Sequence, residues 1–66
     1  MKNNLRQLRD QHDYSQTDLA NYLKVSRQTV YSIETGKFIP STVLALKIGA
    51  LFNLKVEDIF ILEEND

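Results

Sequence analysis

The stretch 16-QTDLANYLKVSRQTVYSIET-35 carries two short helical patterns separated by a tight break. Leu19, Ala20 and Leu23 recur at helical spacing and give the first pattern one apolar face, and Val30 and Ile33 do the same for the second. Ser15 precedes the first pattern and Ser26 the second, each placed so that its hydroxyl can accept from an otherwise unpaired backbone N–H. Asp18, three residues after Ser15, completes a capping box. Ala20 is small enough to let two helices cross closely. The break falls on Lys24 and Val25, and Lys24 takes a turn position that tends to positive φ. A residue with a Cβ pays about 1 kcal/mol for that conformation.

Outward from this stretch the pattern stays helical. Leu5 and Leu8 give an N-terminal helix its apolar stripe, with Arg6 and Arg9 beside it. Gly36 is placed to end the helix that starts after Ser26. Pro40 and Ser41 open a fourth helix from about Thr42 to Asn53, a short turn runs from Val56 to Ile59, and residues 60–62 read as extended. The fourth helix is apolar on two sides. Leu44, Ala45, Ile48 and Phe52 form one stripe, and Val43, Leu46, Ala50 and Leu54 form another. A surface helix needs only the first, so the second must meet the chain's own tail or another molecule.

Sixty-six residues make a single domain, 1–66. A chain this short buries only about 60% of the surface it exposes when unfolded, so its stability margin is thin. There is no Cys and one His, His12, which leaves neither disulfide nor structural metal to help; oligomerisation is the remaining aid. No cofactor and no small-molecule ligand is expected. No apolar run approaches the length of a membrane span, so no membrane partner is expected and a cytoplasmic location is the default. The net charge of −1 hides a division: residues 1–50 carry seven Lys or Arg against four acids, and residues 51–66 one Lys against five acids. That leaves a cationic body and an acidic far end. The sequence holds no phosphate-cradling glycine loop and no recognisable nucleophile–base set, so an enzyme is not expected.

The chain resembles the phage repressor/Cro-type, or XRE-type, helix-turn-helix regulators, and among them the short stand-alone repressors of the cytolysin-operon type from Gram-positive bacteria. The resemblance rests on Ser15 to Ala20, Leu23 to Val30, Ile33 to Lys37 and Pro40-Ser41. It extends to Asn3 to Leu5, Leu44 to Ile48 and Glu57 to Phe60, and so covers nearly the whole chain. It implies an all-α, five-helix bundle with a helix-turn-helix at 16–35, possibly completed by a small antiparallel sheet from the chain termini. It also implies homodimerisation and binding to double-stranded operator DNA. A helix fits the major groove, where residues near its N-terminus reach base edges; Arg pairs bidentately with guanine and Gln with adenine. The family's base-contact positions fall on Arg27, Gln28 and Ser32. Its backbone-contact positions fall on Gln16, Thr35, Lys37 and Thr42, with Ser26, Thr29 and Tyr31 grouped beside them. The family also pairs an arginine of helix one with the acid at Glu34; here that arginine is Arg9, and Glu34 is expected to point away from the groove.

The dimer is expected through residues 50–62, with Leu54, Val56, Ile59 and Phe60 as its contacts. The alternative is a tail folded back within one chain, pairing residues 60–62 with residues 1–3. Tyr14, Tyr22 and Phe38 are expected to pack, His12 to be exposed, and Glu63, Glu64 and Asp66 to form a solvated tail. The competing reading of function, from another class, is a protein-interaction module such as an antitoxin built on the same fold.

Overall fold

Three serines start the principal helices, and residues in the left-handed region stop them. A computed structural model describes all 66 residues. Their order is β1 (Lys2–Asn3), α1 (Leu5–Gln11), α2 (Gln16–Leu23), α3 (Arg27–Glu34), α4 (Thr42–Phe52), α5 (Val56–Ile59) and β2 (Phe60–Ile61). Ser15 Oγ accepts from the Asp18 N–H and Asp18 Oδ2 from the Ser15 N–H, both at 3.0 Å, so the capping box closes. The Ser15 N–H foremost, and the Ser15 hydroxyl after it, hold the Asp18 carboxyl below its ordinary range. Ser26 Oγ accepts from the Thr29 N–H at 3.1 Å and Ser41 Oγ from the Leu44 N–H at 3.2 Å.

At the far ends, Asp13, Lys24, Gly36 and Asn53 have φ of 57°, 59°, 78° and 55°. Each stands where a Schellman closure needs a left-handed residue. At Lys24 the Val25 N–H reaches the Ala20 carbonyl at 3.0 Å; at Gly36 the Lys37 N–H reaches the Ser32 carbonyl at 2.9 Å. The Tyr14 N–H closes α1 on the Arg9 carbonyl, and the Leu54 N–H closes α4 on the Gly49 carbonyl, each at 2.9 Å. Asn53 is therefore the residue beyond α4 rather than its last turn. Only one of the four left-handed positions is Gly.

Between these ends lies one core. Leu19, Ala20 and Leu23 of α2 meet Val30 and Ile33 of α3, with Leu5 from α1 and Ile48 and Phe52 from α4 around them. Ile59 and Phe60 belong to the same core, at 0% and 7% exposure. This corrects the expectation that they serve a dimer: neither offers surface to a partner. The physical reason is the terminal sheet. β1 and β2 pair antiparallel, Lys2 with Ile61 and Asn3 with Phe60, which turns Ile59 and Phe60 inward. The Asn4 N–H fixes this arrangement on the Ile59 carbonyl at 2.9 Å. Asn3 ties β1 to α3, its Nδ2 donating to the Ile33 carbonyl at 2.9 Å. The acidic tail is exposed, but it is tied to the N-terminus. Glu63 and Asp66 each place a carboxylate oxygen 3.1 Å from the Met1 ammonium and raise its pKa.

The tail does not reach the second apolar stripe of α4. Val43 and Leu46 stay 64% and 58% exposed, Ala50 is open, and Leu54 keeps 39%. Val56 is half-buried against the core.

Gly49 carries a constraint that periodicity does not reveal. A Cβ built there would stand 2.9 Å from the Leu54 carbonyl oxygen, a backbone atom held by the α4 closure. Gly49→Ala should therefore destabilise the fold by about 1–3 kcal/mol, as overpacking does. Lys24→Gly should act oppositely and raise stability by up to about 1 kcal/mol, since it relieves the left-handed strain. Urea denaturation of both variants tests the pair; equal midpoints for Gly49→Ala and the parent chain would contradict the contact.

Candidate nucleic-acid interface

One side of the molecule presents a polar cleft where α1, the start of α2 and α3 come together. Its lining is Arg6, Arg9, Gln16, Arg27, Gln28, Tyr31, Glu34 and Thr35. The cleft is built from the bottom by Glu34, whose side chain is only 5% exposed. Arg9 Nε donates to Glu34 Oε2 at 2.7 Å and Arg9 Nη2 to Oε1 at 3.3 Å. The third nitrogen of that guanidinium, Nη1, donates to the Tyr14 carbonyl at 3.0 Å. The carboxylate raises the Arg9 pKa further, chiefly through these hydrogen bonds. Glu34 thus pairs with Arg9 and forms the cleft floor. It can lie there because three of the surrounding side chains, Arg6, Arg9 and Arg27, are cationic.

The walls follow from the helix starts. Gln16 is the first residue of α2, and its Nε2 donates to Glu34 Oε1 at 3.1 Å. Arg27 is the first residue of α3, and its Nη1 donates to Gln16 Oε1 at 3.4 Å. Gln28 stands exposed beside it, and Tyr31, one turn on, is 46% exposed. Thr35 closes the far end, its hydroxyl donating to the Tyr31 carbonyl at 3.1 Å.

The remaining candidates lie outside the cleft. Ser26 caps α3, and its hydroxyl shares one hydrogen bond with that of Thr29 at 2.9 Å. Ser32 is half-buried, and its carbonyl takes the Lys37 and Phe38 N–H groups. Lys37 is exposed on the connection from α3 to α4, and Thr42 is exposed as the first residue of α4. Arg6 was not singled out by sequence reasoning; its signal is the three-residue spacing from Arg9 on α1, which puts both on one face. Two packing expectations fail: Tyr22 and Phe38 are 65% and 47% exposed. Tyr14 does pack, and the exposed His12 ring stacks on it at 5.8 Å and meets Phe52 at 5.1 Å.

Two short helices crossing over Ala20, a left-handed turn at Lys24 and an open first turn of α3 define a helix-turn-helix domain. The chain belongs to the helix-turn-helix family, of the XRE type, which it matches over residues 5–59. It is 52% identical over 66 residues to an uncharacterised HTH-type transcriptional regulator of Methanocaldococcus jannaschii, covering all of both chains. An uncharacterised HTH-type transcriptional regulator of Bacillus subtilis is 48% identical over 66 residues, again with both chains fully covered. A third, from Archaeoglobus fulgidus, is 39% identical, with all of this chain and 93% of the relative covered.

The Arg9–Glu34 pair joins α1 to α3 with little solvent to replace either partner. Removing one side leaves the other as a poorly solvated, uncompensated charge. Arg9→Ala and Glu34→Ala should each lower the unfolding midpoint, and a double-mutant cycle should return a coupling energy of about 1–3 kcal/mol. Strictly additive losses would contradict the pairing in solution.

Proposed function

We propose that this chain is a sequence-specific DNA-binding transcriptional regulator, of repressor type, which binds a palindromic operator as a homodimer. The observation that carries the reading is the open first turn of α3, where Arg27 and Gln28 project beside an arginine-lined cleft. A helix presented this way docks N-terminus first into the major groove, with Arg suited to guanine and Gln to adenine. Arg27, Gln28 and Ser32 are assigned to bases. Gln16, Thr35, Lys37 and Thr42 are assigned to the sugar–phosphate backbone, with Ser26, Thr29 and Tyr31 beside them. The names of the relatives, HTH-type transcriptional regulators, support the same reading. Repression then requires only that the bound protein occupy promoter DNA.

A second copy follows from the geometry of reading. One short helix start reaches only a few base pairs, and this motif ordinarily doubles its site with two-fold-related halves about one helical turn apart. The surface proposed for the contact is the outer stripe of α4, Val43, Leu46 and Ala50, continued by Leu54 and Val56. Ile61 and Leu62, at 42% and 78% exposure, add apolar area from the tail. Exposed apolar side chains gathered on one helix face in this way are a feature of interfaces.

Arg27→Ala and Gln28→Ala should each cost about 1–3 kcal/mol on the preferred site and relax preference at separate base positions. Lys37→Ala should weaken every sequence alike and lower the salt slope by about one. Selection of random duplexes by each variant, followed by salt titration, reads both effects; an unchanged base preference in the first two variants would overturn the docking.

Sedimentation equilibrium at micromolar concentration should show a species of twice the 7.7 kDa chain mass. Leu46→Lys should shift it toward the single chain while leaving the helical spectrum intact. A 7.7 kDa species alone, even on duplex carrying the selected site, would contradict the homodimer.

A further inference from the structure

We propose that Glu34 is a positioning residue for base reading: it orients the Gln16 carboxamide, and Gln16 in turn sets where the Arg27 guanidinium stands. The inference rests on the DNA-binding reading above and assigns a role to a side chain that would itself touch no DNA.

The chemistry of the three groups leaves one arrangement. An ionised carboxylate only accepts hydrogen bonds. Glu34 is buried against Arg9, which donates to both of its oxygens, so the carboxylate is fixed in place with its oxygens as acceptors. The Gln16 carboxamide lies against Oε1 of that carboxylate, and only its NH2 end can face it; the bond is 3.1 Å. A flipped amide would set one oxygen against another. With the NH2 end committed, Gln16 Oε1 faces the opposite way, toward α3, where Arg27 Nη1 donates to it at 3.4 Å. The carboxamide thus passes an orientation set on α1 and α3 to the first side chain of the recognition helix.

The same amide keeps one N–H unused. Gln16 Nε2 has two hydrogens, and Glu34 takes one. The second is free for a phosphate oxygen at the start of α2, a position where backbone contacts are assigned. Backbone docking and the aim of Arg27 therefore share one planar group. Binding the phosphate through Gln16 holds the amide flat, and its oxygen holds Arg27 on the side of the base edges. Without Glu34 the amide is free to rotate or flip, and Arg27 must be ordered by the base alone. A flexible arginine loses discrimination before it loses charge.

The test is duplex selection by the full chain and its variants, with Arg27→Ala used first to identify the base position that Arg27 reads. Glu34→Gln keeps the size of the side chain while removing its charge. It should reduce discrimination at that position by about fivefold, the lower end of what one bidentate arginine contact supplies, with other positions unaffected. Gln16→Ala should loosen the same position, and adding Glu34→Gln to Gln16→Ala should change it no further. If Glu34→Gln lowers stability too far for binding to be measured, Glu34→Asp takes its place: it keeps the charge beside Arg9, draws the carboxylate back from Gln16 and should loosen the same position. Uniform weakening on all sequences, with preference at the Arg27 position intact in both single variants, would overturn the proposal and leave Glu34 a structural acid. A parent chain that selects no sequence at all would instead remove the DNA-binding reading on which the proposal rests.

Discussion

The carboxylate of Glu34 takes hydrogen bonds from two separate elements, Arg9 of α1 and Gln16 of α2, while standing on a third, α3. Apolar packing alone would not fix how these helices sit along one another. Leu5, Leu19, Val30 and Ile33 are aliphatic, and such surfaces tolerate small slides with modest loss. An ion pair with two directed bonds tolerates far less. Buried pairs of this kind add little net stability over a well-packed apolar substitute, but they penalise arrangements that separate the charges. In a chain with so small a core, register is what Glu34 supplies. The Arg9 bond to the Tyr14 carbonyl carries the same constraint into the turn that leads to α2.

The cleft inherits its character from that arrangement. Placing one carboxylate beneath three arginines leaves the rim cationic without leaving the floor unbalanced. The net charge of −1 is therefore a poor guide to the working surface. What matters to an approaching polyanion is the local field within a screening length of about 10 Å. The acids of residues 57–66 sit on the α5–β2 side, two of them sharing the Met1 ammonium. Charge in this molecule is sorted by location, and function follows the sorting.

Much of this was legible in the residues because it is locally encoded. Ser15, Ser26 and Ser41 mark helix starts through bonds spanning three residues, and Gly36 marks a stop in the same local way. The strain at Lys24 was legible for the same reason: the turn dictates φ, whatever residue occupies it. Three features were not legible, and each depends on a distant partner. Gly49 is required by a carbonyl five residues away that reaches it only because Asn53 turns left-handed. Ile59 and Phe60 are apolar enough for a core or an interface, and only pairing of β2 with β1 chooses the core. The pairing of Glu34 with Arg9 is implied by the resemblance, but its bond from Gln16 is not, because that depends on how α2 starts beside α3. The exposure of Val43 and Leu46 is the converse case, an apolar stripe that periodicity exposes and that the chain's own tail leaves uncovered.

The central claim is that two copies of this domain present α3 to the major groove at two-fold-related half-sites. Hydroxyl-radical footprinting of the selected duplex tests it most directly, since cleavage reports backbone protection strand by strand. The account predicts protected patches related by a dyad, their centres about one helical turn, or roughly 10 base pairs, apart on one face of the duplex. A single unpaired patch, or protection spread evenly along the duplex, would contradict it.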